Sequence, residues 1–569
     1  MKKKIISLVA LALSFTCFAA CGGTVIEKED KTKSHHLYVG VFNGGFGIEW
    51  LKQAIDEFVK IYPDTEIKFD DKKDEFQTAG LESTIHERSN DLYIAPTNYL
   101  RMIANGDMAQ DITSIVTSPI SLAGGVTDTS IASRMDKSFK EFYNVGTETA
   151  PKYYAVPVGG SVWGINYDYD LFEEEKLFIS YNGDGEIVWT SGINGDPEKS
   201  VGRDGVKGTY DDGTPVTFAE FRTLLNKMVA KGITPFIWAD DMASYRFYWM
   251  MSMWADYEGK ERMEHALRMD GTTLDIYDTE KAGFSEAMTS EDRQVAITDK
   301  TGYYLPQMKG KAAALELSKL IMSDKEYYDA RSMQSTTSFT QAQSFYVQSK
   351  AYASTGKGNR VAFLVDGGHW YNEIKLYSDT YTKESYPEYA EKGRRFSVMP
   401  FPVVEGSKNE KTSYLRSSSN FAAFIRQNAK EKETAEKFLQ FLFTTESIKN
   451  TALTSGMLMY YDYELTKSEI EGLPYYYQII QQINNSDKAD LVNENCNSAF
   501  YKANPNYQVK QNILWLSQYQ VGGQTVAINN SFYPFKDYSK LTVHTYMLGS
   551  KDYYTESFWT NSFAFLNNN

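Results

Sequence analysis

The chain has 569 residues, of which 42% are hydrophobic and 14% aromatic. This excludes a disordered polymer and exceeds what one ordinary core accommodates, so two or three domains are expected. The 59 basic and 74 acidic residues leave a net charge of −15, which argues against a nucleic-acid partner, because phosphate binding needs basic surface.

The first segment is a signal. Lys2, Lys3 and Lys4 precede an apolar run, Ile5–Phe18, too short to stay in a bilayer as a spanning helix. Phe18-Ala19-Ala20-Cys21 then resembles a bacterial lipobox, with Phe18 where Leu is usual. The match implies cleavage before Cys21 and a diacylglycerol on its sulfur. Of the three cysteines, Cys17 is then discarded and Cys21 lipidated. Cys496 is left as a small buried hydrophobe, with no intramolecular disulfide and no cysteine metal site. Residues 21–36 are polar and aperiodic and read as a tether.

The body opens with a strand at Leu37–Phe42, a glycine-rich loop Asn43–Gly47, a helix from about Ile48 to Tyr62 and a strand at Thr65–Phe69. This βαβ order predicts a parallel sheet. Another strand is expected at Asp91–Ala95. Tyr153–Phe172 reads as a strand broken at Gly159-Gly160 that resumes and enters a helix, as in a chain leaving one sheet for another. A turn-rich insert follows at 180–213. Thr217-x-x-Glu220 is a capping box whose helix carries Phe221, Leu224, Leu225, Met228 and Val229 on one face. An aromatic helix is expected over 243–257 and longer helices near 305–329 and 338–353. Strands are expected at Val361–Asp366, Arg395–Pro402 and Asn420–Ile425, then a helix over Ala429–Thr444. The Tyr- and Asn-rich tail beyond about 470 gives no clear pattern.

Phe58-x-x-x-Tyr62-Pro63-Asp64, Asp91-Leu92-Tyr93, Tyr154–Phe172, Pro215–Phe221, Val361–Leu364 with Gly367 and Trp370, and Ser397–Pro402 occur in this order. Together they resemble the extracellular solute-binding proteins of ABC importers, the maltose-binding-protein-like family. The resemblance covers most of residues 37–455. Tyr167-Asp168 after Asn166 and the lack of Met beside Ala362 depart from the family pattern. It implies two discontinuous α/β lobes of the type II periplasmic-binding-protein kind, joined by a hinge of crossing segments, with the ligand cleft between them. Carried over, the crossings fall near Val156–Gly160, Gly358–Val361 and Met399–Pro402. The lobes become 37–157 with 361–399, and 158–360 with 400–569.

Sugar binding needs aromatic faces and short polar groups in a cleft. Trp370 and Tyr371 follow the C-terminal end of a strand, as do Trp238, Asp240 and Asp241, and such ends bind ligands in open α/β sheets. Asn43, Glu49, Asp366 and Arg416 complete the candidate ligand set. Trp50, Trp163 and Trp254 fit cleft or core, whereas Trp249 fits the core better. In the insert, Asp204, Asp211 and Asp212 lie among glycines and suit either a calcium loop or Asx turns. No other cofactor is expected. The rival readings are a glycosidase using acidic pairs such as Asp240/Asp241 or Glu49 with Asp366, a surface adhesin, or a lipoprotein binding a non-sugar solute. The leading expectation is a monomeric, non-enzymatic carbohydrate-binding lipoprotein. It would sit at the cell surface or in the periplasm, touch the membrane only through its lipid, and deliver ligand to an ABC permease.

Overall fold

The computed structural model describes residues 29–563 except 194, 292, 375–392, 506–514 and 529–531. The signal segment, Cys21 and most of the tether lie outside the described residues. The first strand, His35–Val41, begins two residues inside the expected tether. Helix Glu49–Ile61 follows and buries Leu51, Ala54 and Phe58, whose spacing of three and four puts them on one face. Strands Thr65–Asp70 and Leu92–Pro96 flank the first strand in parallel.

Two strands from far along the chain complete this first sheet. Phe421–Ile425 runs antiparallel to Leu92–Pro96, and Val156–Pro157 pairs with its other edge. The second lobe holds a four-stranded sheet in the order Thr234–Trp238, Val361–Val365, Ile165–Asp168, Phe396–Met399. Its strands are buried on both faces. Phe236 and Trp238 pack into one apolar layer and Ile237 into the other, the two-residue alternation of a strand. Helix Phe218–Ala230 has the expected capping box and buries Phe221, Leu224, Leu225 and Met228.

Between the lobes lies a third sheet, in the order Leu458–Met459, Gly159–Trp163, Thr412–Ser417, Ala489–Val492. The first expected crossing is therefore in place, because the chain leaves the first sheet at Pro157 and enters the middle sheet at Gly159. The other two are corrected. Gly358–Val361 and Met399–Pro402 stay within the second lobe, and the chain crosses instead at Ser417–Phe421 and around Leu458–Tyr461. The lobe assignment changes with them. Strands Val361–Val365 and Phe396–Met399 belong to the second lobe. The first-lobe core takes in Phe421–Ile425, Ala435, Phe438, Leu439 and Ile448. Of the tail, helix Tyr475–Asn485 covers one face of the second lobe, and Trp515 and Phe532 pack on the aromatic helix Ala243–Glu258 at the other.

Gly159 and Gly160 were expected to break the strand. Both instead lie within it, paired to Met459 and Leu458, and neither has a positive φ. Glycine is required there by close approach. A Cβ on Gly160 would stand 2.0 Å from the Ser417 carbonyl oxygen and 2.1 Å from the Tyr460 hydroxyl. That hydroxyl donates to the same Ser417 carbonyl at 2.9 Å. Tyr461 donates to the Pro157 carbonyl at 2.6 Å, and the Val158 N–H to the Phe421 carbonyl at 2.9 Å. All three crossings are thus hydrogen-bonded to one another.

Asp168 ties the second sheet together at one end. It is fully buried, caps helix Tyr169–Glu174 through the Leu171 N–H, and is ion-paired with Arg360 at 2.7 Å and Arg394 at 2.5 Å. These arginines sit just before strands Val361–Val365 and Phe396–Met399, so one carboxylate joins three strands. Burial works to raise its pKa, but the two guanidinium charges prevail and hold it down at about 2.

Two outcomes are expected. Gly160→Ala should cost roughly 1–3 kcal/mol by overpacking, read as a lower urea midpoint with an unchanged m-value. The second concerns acid. The folded pKa of Asp168 lies below an unfolded value of about 3.9, so its contribution is complete above about pH 4 and is lost as pH falls through about 2. Unfolding curves across that window should show a loss of about 2–3 kcal/mol that Asp168→Asn abolishes, while lowering stability at neutral pH.

Candidate ligand-binding site

A cleft of about 570 Å³ lies between the lobes. The first lobe contributes the glycine-rich loop from Phe42 to Gly47, with Lys73, Gln77 and Thr78. The second lobe contributes Trp163, Tyr245, Tyr248, Phe339 and His369. The crossing residues Ser418, Ser419 and Asn420 form the floor.

Local structure explains this set. Strand Thr234–Trp238 ends and the aromatic helix starts at Ala243, so its first turns point into the cleft. Tyr245 and Tyr248 are three residues apart and share a helix face. Tyr248 stacks on Trp163 with centroids 5.2 Å apart and planes inclined 12°. Tyr245 meets the same indole edge-on at 5.6 Å. Trp163 is only 3% exposed. It therefore reaches the cleft at its rim and mainly backs the tyrosines.

A polar chain runs along this wall, with Lys73, Glu373 and His369 lining the cleft and Gln343 and Asp366 behind them. Lys73 of the first lobe pairs with Glu373 of the second at 3.0 Å. Gln343 donates to both Glu373, at 2.9 Å, and Asp366, at 3.0 Å. His369 lies 3.5 Å from the Asp366 carboxylate and 3.3 Å from the Tyr245 hydroxyl. Burial pushes the Asp366 pKa well above the usual carboxylate range, and the charge of Glu373 adds to it. Burial also lowers the pKa of His369, against the pull of Glu373. Burial therefore disfavours the charged form of both side chains, the carboxylate of Asp366 and the imidazolium of His369.

Of the sequence-derived candidates, Trp163 lines the cleft. Asp366 stands behind it, under His369. Asn43 lies within the lining loop but does not itself line the cleft, and donates to Asp71 at 3.0 Å. The other candidates are corrected. Trp370 is fully buried, edge-on to Tyr346, Phe396 and Tyr476. Tyr371 stacks on Tyr476 at 4.9 Å. Trp238 packs against Phe532 and donates to the Tyr533 hydroxyl. Trp254 is buried beside Trp515, and Trp50 within the first-lobe core. None of these five offers a face to a ligand. Glu49 is exposed and paired with Lys52. Asp241 is exposed, and Asp240 accepts from Tyr533, both short of cleft-lining Met242. The proposed pair of Glu49 with Asp366 fails on geometry, because Glu49 is exposed in the first turn of its helix and Asp366 is behind the wall. Arg416 pairs with Asp136 of the first lobe at 2.9 Å, with its guanidinium over Phe139 and Tyr460, so it joins the lobes.

The calcium expectation also meets a competing use of its carboxylates. Asp211 accepts the N–H groups of Arg203 and Asp204, Asp212 that of Gly208, and Asp204 that of Val206. The Asp204–Val206 bond is an Asx turn, and Asp211 and Asp212 close the loop by accepting from residues earlier in it. Among the described residues no group of three His, Cys, Asp or Glu side chains is placed to hold a metal ion. The insert is fastened by Arg203, which forms a 2.5 Å buried ion pair with Asp256.

Sequence reasoning missed Tyr245, Tyr248 and His369. The first two carried a signal, two tyrosines at helical spacing directly after a strand end. His369 carried only its position beside the chosen Trp370.

The cleft between two interleaved lobes is matched at the level of sequence. A profile of the bacterial extracellular solute-binding proteins aligns with residues 47–449. The chain belongs to this family. No curated protein matches it. Among solved structures, one from work on xylan utilization by Caldanaerobius polysaccharolyticus superposes with a TM-score of 0.52 at 13% identity, covering 91% of this chain and 99% of that one. The GacH receptor of Streptomyces glaucescens, solved unliganded and with acarbose, gives 0.51 at 11% identity, covering 93% and 99%. Fold and family are those of non-enzymatic solute-binding proteins. In this solute-binding protein the Trp370 site is therefore structural. Trp370→Ala should cost about 3–5 kcal/mol and lower the melting temperature. A melting temperature equal to the wild type's would place Trp370 outside the core.

Proposed function

We propose that the protein captures an oligosaccharide outside the cytoplasmic membrane by closing its lobes, and hands it to the permease of an ABC importer. The observation that carries this is the aromatic wall. Tyr248 on Trp163, flanked by Tyr245, presents flat rings suited to the C–H faces of sugars. Ser418, Ser419 and Asn420 below it, with Gln77 and Thr78 opposite, supply short hydroxyls and amides that match sugar hydroxyls. The two compared structures, from xylan utilization and in complex with acarbose, agree with a carbohydrate ligand. Cleft residues come from both lobes, so ligand favours the closed form, as a capture mechanism requires. The lipobox-like Cys21 would tether the protein to the membrane, and no helix among the described residues is long and apolar enough to cross it.

Calorimetry with a panel of oligosaccharides tests the reading. Saturable binding is expected, with tryptophan emission changing as ligand packs on Tyr248, which stacks on Trp163, and no shorter sugars released. Tyr248→Ala should weaken the best ligand by at least about tenfold, or ~1.4 kcal/mol, without changing the melting temperature by more than a few degrees. Failure with every sugar would leave the family intact and sink the carbohydrate assignment.

A further inference from the structure

A second, smaller cavity of about 120 Å³ adjoins the cleft. Thr78, Asn420 and Glu494 line both, forming a neck between them. Beyond the neck, one side belongs to the first lobe, with Asn98, Tyr99 and Phe142. The other is made by Met251 and Leu267 of the second lobe and by residues between 494 and 505, the latter outside the span shared with the family.

This tail segment is built into place. Asn497 donates to the carbonyls of Glu141, Phe142 and Asn144, at 2.7, 2.8 and 3.1 Å. Asn98 donates to the Pro505 carbonyl at 3.0 Å, and Asn495 to that of Ser419 at 2.9 Å. Tyr501 anchors the segment to the second lobe through the Leu267 carbonyl at 2.6 Å. The tail thus reaches from one lobe to the other and closes the chamber. Amides dominate its polar lining, with Asn98, Asn420, Asn495 and Asn504 around aromatic rings. An amide pairs with a hydroxyl both as donor and as acceptor, so the chamber has the same chemistry as the cleft floor.

We infer that this chamber is an additional sugar subsite supplied by the chain's own C-terminal segment, and that the ligand is a linear oligosaccharide threading the neck at Asn420 to occupy both cavities. The inference rests on the carbohydrate reading above. A ligand confined to the main cleft would not touch residues 495–505. One that enters the chamber bridges the tail and the first lobe, so added length strengthens closure.

Calorimetry on the intact protein with two ladders, xylo- and malto-oligosaccharides from disaccharide to hexasaccharide, tests it. In the ladder that binds, affinity should rise by about tenfold or more once the chain is long enough to pass the neck. Asn504→Trp, which fills the chamber, should abolish that rise and keep disaccharide affinity at the wild-type value. Asn504→Ala should keep most of the rise, and equal melting temperatures would show that both variants fold. Affinity that stops rising at the size of the main cleft, or an identical ladder in Asn504→Trp, overturns the subsite while the carbohydrate reading stands. Failure of both ladders to bind overturns the inference along with that reading for these sugars.

Discussion

The fold depends on the backbone contact at Gly160. One strand, Gly159–Trp163, is hydrogen-bonded along one edge to the second crossing and along the other to the third. No side chain fits between Gly160 and the Ser417 carbonyl. The crossings therefore form a single sheet rather than three independent linkers. Relative motion of the lobes must be taken up beside it, at Val158 and at Ser418–Asn420. Ser418 already has a positive φ of 58°, and Ser418–Asn420 also floor the cleft. The cleft floor and the lobe geometry are coupled at these residues without any intermediary.

Two buried aspartates of the second lobe show how surroundings set charge. Asp168 faces two guanidinium groups, which overcome the cost of burying its charge. Asp366 faces Gln343, His369 and, further off, Glu373, and the hydrogen bonds from Gln343 and Gly367 with the distant charge of Lys73 do not offset burial. The first stays ionised and binds strands together. The second is pushed toward its neutral form and accepts from Gln343 behind the cleft wall. Sequence alone makes the two look alike, since each is an Asp at the end of an apolar strand.

What the sequence shows is mostly local. The Thr217–Glu220 capping box, the face of the first helix and the strand at Val361–Val365 follow from spacing and appear as expected. Which sheet a strand joins is not local. Val361–Val365 and Phe421–Ile425 are both continuous apolar runs, and only long-range pairing sends them to opposite lobes. The tryptophans failed for a related reason. Trp370 does follow a strand end, but helix Tyr475–Asn485, in the tail whose pattern was illegible, lies over it through Tyr476. Aromatic residues that a distant segment covers become core, and those it leaves uncovered, Tyr245 and Tyr248, form the wall.

The interleaving also bears on how the chain can be made. The first lobe's sheet places Phe421–Ile425 between strands that precede it by more than 250 residues. Until that strand is available, Leu92–Pro96 keeps an open edge, a template for mispairing, and closing so long a loop slows productive folding. The second lobe likewise waits for its tail helices. A chain of this design stays incompletely folded until nearly all of it is present, a condition compatible with threading through a secretion channel from its N-terminus. It is also a reason that fragments ending before residue 421 would aggregate rather than fold as a free first lobe.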